Sequence, residues 1–212
     1  MPRDDFFERM AGIALNVFDA YTAAIFLPAG SGDGETCRLS ASLSLGDDVI
    51  KDAVIAPGMG IVGWIIRNRQ PLLISNFDQK RGRLGYYPPK AEAGIRAFMG
   101  CPLEGTPGAI CLDSKKTFTF GEKDQKILSQ VAALVGSHYA NGRSLESSLL
   151  EHRYYQCMRV IGGLHKKNPK WSGFLTALLD MLSSVTGFRH CFLAVRDESG
   201  RYYFLEGANL PL

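Results

Sequence analysis

Several things are missing from this chain of 212 residues, and each absence removes a class of function. No apolar run approaches the roughly 18–20 residues that a helix needs to cross a bilayer, so no transmembrane span is expected. The opening residues, Met1-Pro2-Arg3-Asp4-Asp5, are charged and lead into no apolar core, so no signal peptide is expected and the cytoplasm is the default location. Cysteines are few, odd in number and scattered (Cys37, Cys101, Cys111, Cys157, Cys191), with no Cys-x-x-Cys spacing, which argues against a disulfide framework and a structural zinc site. Cys101, Cys111 and Cys191 sit in apolar runs and read as small hydrophobes. The four histidines, His138, His152, His165 and His190, all fall late in the chain. The strands and loops of the first half therefore hold no histidine base and no histidine ligand for haem or metal. A net charge of +3 is too small to argue for nucleic acid.

What is present is an ordinary globular composition, 46% apolar and 21% charged, long enough to bury a core. Its most informative stretch is Pro57-Gly58-Met59-Gly60-Ile61-Val62-Gly63-Trp64, followed by Gln70-Pro71-Leu72-Leu73-Ile74. The proline and closely spaced glycines mark a tight turn in which backbone approaches something closely. Ile61, Trp64 and Ile65 then recur at helical spacing until Gln70-Pro71, and 72–74 reads as a buried strand. Turn, short helix and strand, apolar on one side, form a lid over one face of a sheet.

Around this lid the pattern predicts an amphipathic helix over 5–19, a strand over 23–27, a Gly/Ser/Asp turn over 28–35 and a half-buried strand over 36–45. A short helix is expected over 47–53. Residues 77–92 hold Lys80, Arg81, Arg83, Lys90, three aromatics and Pro88-Pro89 without a period, which reads as a long functional loop. Strands resume over 95–103 and 109–112. From Phe120 a helical pattern runs to about residue 165, either as one long helix weakened at Gly142 and Gly162-Gly163 or as two helices with a short break.

After Pro169 the sequence begins again: helix over 174–185, strand over 190–195, a turn at Asp197-Glu198-Ser199-Gly200 and a strand over 202–207. Val17 matches Val185, 23–27 match 191–195 and Ser31-Gly32 match Ser199-Gly200, all at one offset. A repeat at this spacing implies two copies of one fold, the second cut short after its first hairpin.

The Pro57–Trp64 signature, Pro71-Leu72-Leu73-Ile74, Gly94-Ile95-Arg96 through Cys101-Pro102-Leu103, Gly108–Leu112 and Phe120…Asp124…Leu128 follow one another as in GAF domains, the small-ligand modules of signalling proteins. The resemblance covers about residues 5–140. It implies an α+β fold with a central antiparallel sheet, helices on one face, a ligand pocket on the other, and a long C-terminal linker helix. The domains expected are 1–140 (GAF), 141–165 (linker helix) and 166–212 (the start of a second GAF-like domain). It also implies homodimer pairing through residues 1–19 and 122–165.

Arg81, Arg83, Tyr86, Tyr87 and Arg96 are candidates to clamp a carboxylate or phosphate, with Trp64 as an aromatic wall for a small anionic or flat ligand. Ser75, Asn76, Asp78, Cys101 and Asp113 complete the candidate set. A solvated basic loop and a core Trp64 would explain several of these equally simply. Some GAF proteins reduce free methionine sulfoxide with cysteines near the short helix and loop, but here Val62 stands in the helix and 70–95 contain no cysteine. No Cys-His pair is present for a covalent bilin. Asp113-Ser114-Lys115…Phe120…Asp124-Gln125 matches only part of the Asn-Lys…Phe…Asp-Glu pattern of cyclic-nucleotide binders. No catalytic residues are expected, and the chain is expected not to be an enzyme. The function expected is that of a sensory module of a bacterial signal-transduction protein that binds a small molecule and relays its state to an output domain. The other readings are a dimerisation scaffold without ligand and, third, a methionine sulfoxide reductase-like enzyme.

Overall fold

The computed structural model describes residues 5–30, 36–46, 48–187 and 190–208. The chain divides into two compact units, Met1–Ser144 and Leu145–Leu212.

In the first unit, helix α1 (Asp5–Val17) leads into a sheet of six antiparallel strands. They are β1 (Thr22–Pro28), β2 (Cys37–Ser44), β3 (Val54–Ile55), β4 (Leu72–Ile74), β5 (Ala97–Pro102) and β6 (Ala109–Ser114), in the order β3-β2-β1-β6-β5-β4. The alternation of side chains along each strand sorts the core into two layers. Ala23, Ile25, Ala97, Met99, Ile110 and Leu112 face one side, where they pack with Ala11, Ala14 and Leu15 of α1. Leu128, Ala132 and Val135 of helix α4 (Glu122–Lys167) join the same layer. Ala24, Phe26, Phe98, Ala109 and Cys111 face the other side, beneath helix α2 (Gly60–Asn68) and the segment that follows β4. The expected α+β architecture, helices on one face of an antiparallel sheet and a long helix after it, is what the chain forms.

Some local expectations need correction. The short helix expected over 47–53 does not form in the described residues; Lys51 and Asp52 make a turn, and the chain enters β3. The long loop is not bare coil, since it winds through a 3-10 turn at Gln79–Arg81 and a single helical turn, α3 (Pro89–Glu92). Of the two readings offered for 122–165, one uninterrupted helix is found, passing through Gly142, Gly162 and Gly163. A Cβ at any of these three glycines would meet nothing within 4 Å, so they weaken the helix without being required by packing.

The turn ahead of α2 shows what its glycines allow. Gly60 has φ +65° and a Cβ there would lie 2.5 Å from the Arg83 carbonyl oxygen; at Gly63 it would lie 2.4 Å from that of Ala56. The backbone approaches its own loop: the Ile61 amide donates to the Arg83 carbonyl at 2.8 Å. α2 ends at Arg69, left-handed at φ +56°, whose Nη1 donates to the Thr106 carbonyl.

The second unit holds helix α5 (Trp171–Thr186) and the hairpin β7 (Cys191–Arg196) and β8 (Tyr202–Ala208). Its order of helix, strand, turn and strand is that of α1-β1-β2, and some positions correspond. The β1–β2 ladder skips a residue between Ile25 and Phe26, and the β7–β8 ladder skips one between Leu193 and Ala194. The offset that carries the first pair to the second also carries left-handed Asp19 (φ 48°) to left-handed Gly187 (φ 73°). It carries Phe7 and Ala11, two of the five buried residues of α1, to Leu175 and Leu179, both buried in α5. No helix among the described residues is long and apolar enough to cross a membrane.

Candidate functional site under the loop

On the loop side of the sheet one row of residues is polar. Cross-strand register sets Ser44 of β2 beside Thr22 of β1, and Thr22 beside Asp113 of β6. Two tyrosines reach this row from the loop. The Tyr86 hydroxyl donates to Asp113 Oδ2 at 2.8 Å, and the Tyr87 hydroxyl donates to the same oxygen at 3.0 Å. Thr22 Oγ1 lies 2.5 Å from the Tyr87 hydroxyl and 2.6 Å from Ser44 Oγ, which accepts the Gly46 amide at 3.2 Å. Ser44, Thr22, Tyr87 and Asp113 thus form one continuous hydroxyl chain ending on a carboxyl, with Tyr86 as a second donor there.

The chain is buried: Tyr86, Thr22 and Asp113 are inaccessible to solvent and Ser44 is half-buried. Removal from water disfavours the charged form, and this pushes Asp113 up to about 7, with the two tyrosine donors and then Lys115 opposing the shift. Both tyrosines are raised, by burial first and by the Asp113 charge second, so they stay neutral donors. The Lys115 ammonium donates to the Tyr21 hydroxyl at 2.8 Å and lies 4.0 Å above that ring. A second buried carboxyl stands in α3: Glu92 Oε1 accepts the Leu84 amide at 3.1 Å, while Oε2 has no hydrogen-bond partner among the described residues. Phe26, Phe98, Ile55, Ile65, Leu84 and Ile95, each less than 2% exposed, fill the rest of the space beneath the loop.

The candidate residues separate accordingly. Tyr86, Tyr87 and Asp113 come together in the interior. Trp64 stands 39% exposed on α2, and Asn76, Asp78, Arg83 and Arg96 are exposed on the loop and its exits. Ser75 is half-buried beside β4, with its carbonyl accepting the Phe118 amide. Asp78 caps the 3-10 turn by accepting the Lys80 amide at 3.0 Å. Arg81 lies in that turn, and its side chain is outside the described residues. Cys101 belongs to the opposite, helix-covered face, with its Sγ 3.3 Å from Ser129 Oγ. Burial raises the thiols of Cys101 and Cys111, and raises Cys37 to about 11.

Three participants were not singled out from the sequence. Thr22 shares the parity of Ala24 and Phe26, which could have placed it on the loop side. Ser44 was hidden by the bulge in β2. Glu92, alone among alanines, left no signal.

A family profile for the GAF domain matches residues 1–138, and the chain belongs to that family. No curated protein matches the sequence significantly. Among solved structures, the GAF domain of an Acinetobacter phosphoenolpyruvate-protein phosphotransferase superposes with TM-score 0.56 at 19% identity, over 66% of this chain and 83% of its own. The second GAF domain of DevS from Mycobacterium smegmatis superposes with TM-score 0.52 at 15% identity, over 68% and 97%. The free methionine-R-sulfoxide reductase of Neisseria meningitidis, solved with its substrate, superposes with TM-score 0.53 at 16% identity, over 65% and 78%. The expectation that this chain is not an enzyme therefore does not stand, since reductases share its fold. At this identity the likeness is one of fold and assigns no activity.

Proposed function

We propose that this chain is a sensory and regulatory module of a bacterial, cytoplasmic signal-transduction protein. It binds a small molecule between the loop and the sheet, and its terminal helices carry the bound state to an output domain. The observation that carries this reading is the loop itself, a cover held to the sheet by Tyr86 and Tyr87 on Asp113 and to α2 by the Ile61 amide on the Arg83 carbonyl. In this reading Trp64, Ser75, Asn76, Asp78, Arg81, Arg83 and Arg96 form the rim, Tyr86, Tyr87 and Asp113 the floor, and Cys101 supports the strand from behind.

We read 1–140 as the GAF domain, 141–165 as a linker helix and 166–212 as the start of a second GAF-like domain. The bulge and the left-handed residue after the helix, both repeated at one offset, support the tandem arrangement. Pairing of two copies through 1–19 and 122–165 is supported by exposed Ile13 and Val17 on α1 and by exposed Leu145, Leu149, Tyr155 and Met158 on α4.

A dimerisation scaffold is the second reading, favoured by the close filling of the loop side with Tyr86, Phe26, Phe98 and Leu84. Native and denaturing mass spectra of the purified chain separate the two. A small mass released on denaturation supports the sensor. A bare mass of two chains, unchanged after incubation with a metabolite extract, rejects it in favour of the scaffold.

A further inference from the structure

We propose that Asp113 is a proton-operated latch on the 77–96 segment: the closed loop holds a proton on this carboxyl, and opening the loop releases it. The inference deepens the sensory reading and rests on it for one point, that the loop is the part that moves.

The geometry defines what faces the carboxyl from each element. Tyr86 and Tyr87 come from the loop, Thr22 from β1 with Ser44 of β2 behind it, and apolar Phe98 stands beside it on β5. On its own strand is Cys111, whose thiol is held neutral by burial, and just past the strand's end is Lys115, whose ammonium donates to the Tyr21 hydroxyl. Glu92 is the loop's own buried carboxyl, occupied on one oxygen by the Leu84 amide. Among the described residues no cation forms an ion pair with Asp113, so its charge is stabilised first by the tyrosine hydroxyls and only then, without contact, by Lys115.

Those hydroxyls suit both protonation states. Each carries one proton, so Ser44, Thr22 and Tyr87 can be oriented in only two consistent ways. When Asp113 is ionised, Ser44 donates to Thr22, Thr22 to Tyr87 and Tyr87 to the carboxylate. When Asp113 is protonated, it donates to the Tyr87 oxygen while still accepting from Tyr86, and the chain reverses towards Ser44. A proton entering from water at half-buried Ser44 moves each hydroxyl proton one place along and arrives at Asp113, with no group left unpaired and no charge lost on the way. The closed fold can therefore take up a proton.

Opening removes both tyrosines and admits water, returning Asp113 to the ordinary carboxyl range near 4. In the closed form burial holds it near 7. The closed form thus binds the proton more tightly, and closure is favoured as pH falls. Between roughly pH 4 and 7 each unit of rise favours opening by up to about tenfold, and above that window the dependence ends.

The test uses the full chain without added ligand. The carboxyl carbon resonance of Asp113 is followed by NMR against pH, together with hydrogen exchange of the Leu84 and Phe77 amides corrected for intrinsic rates. We expect a midpoint near 7, an opening constant that climbs about tenfold per unit from pH 5 to 7 and then levels, and a flat profile in Asp113→Asn. A midpoint near 4, or the same slope in Asp113→Asn, overturns the latch. If that variant does not fold, the carbon titration of the unaltered chain decides alone. A chain that titrates as expected but never carries a small molecule loses the sensory reading and keeps the latch.

Discussion

The two faces of the first unit's sheet are buried to the same degree by opposite means. On the helix side, Ile25, Met99, Ile110 and Leu112 meet α1 and α4 through carbon and sulfur alone, with one neutral thiol, Cys101, at the margin. On the loop side the same strands present Thr22 and Asp113, and the cover reaches down with two phenols to meet them. Dispersion and apolar burial hold whatever the pH, whereas a hydrogen-bonded buried carboxyl responds to protons. One face therefore keeps the fold and the other makes part of it conditional.

Substitution should expose that difference. The largest effect belongs to the helix side: Leu112→Ala, at a fully buried position, should lower stability by about 2–5 kcal/mol, equally at pH 5 and pH 8, in urea unfolding. Asp113→Asn should behave differently. A carboxyl raised to about 7 in the folded chain binds its proton more tightly there than when unfolded, so its contribution is full at low pH and lost as pH rises towards 7. The stability of the unaltered chain should thus fall relative to Asp113→Asn by up to about 1.4 kcal/mol per unit between roughly pH 4 and 7. A parallel pair of curves would erase the contrast between the faces. Smallest is Arg96→Ala on the exposed exit of the loop, expected within about 0.5 kcal/mol in thermal melts. If mass spectrometry finds a bound ligand, the same variant should still weaken its affinity; unchanged affinity would remove the clamp.

The sheet and its two helical partners were legible because they follow simple periods. Ile25 and Leu112 alternate with residues of the other face, and Leu128, Ala132 and Val135 recur at helical spacing. The site was half legible. Tyr86, Tyr87 and Asp113 could be picked out as chemistry-bearing residues, but their meeting depends on how a coil folds back across three strands, which no local period encodes. The arginines are placed by a related means. Arg83 spends its carbonyl on Ile61 and Arg96 its backbone on Ser114 and Phe77, so the positions are fixed by main chain while the side chains face solvent. The helix expected over 47–53 does not form among the described residues because Ala53 already accepts the Leu39 amide ahead of the β3 pairing with β2.

The bulge in β2 has a consequence for how this sheet can change over time. Removing one residue from a strand ordinarily turns everything beyond it inside out. Ser40 is the residue the ladder already skips: Leu39 pairs with Phe26 and Ala41 with Ile25. Its deletion should leave every partner in place, Ser44 beside Thr22 included, and a straighter hairpin that folds and titrates as before. The hairpin of the second unit skips Leu205 in the same way, between Phe204 and Glu206. Each half of the chain thus carries one position in its opening sheet where length can drift without inverting a face.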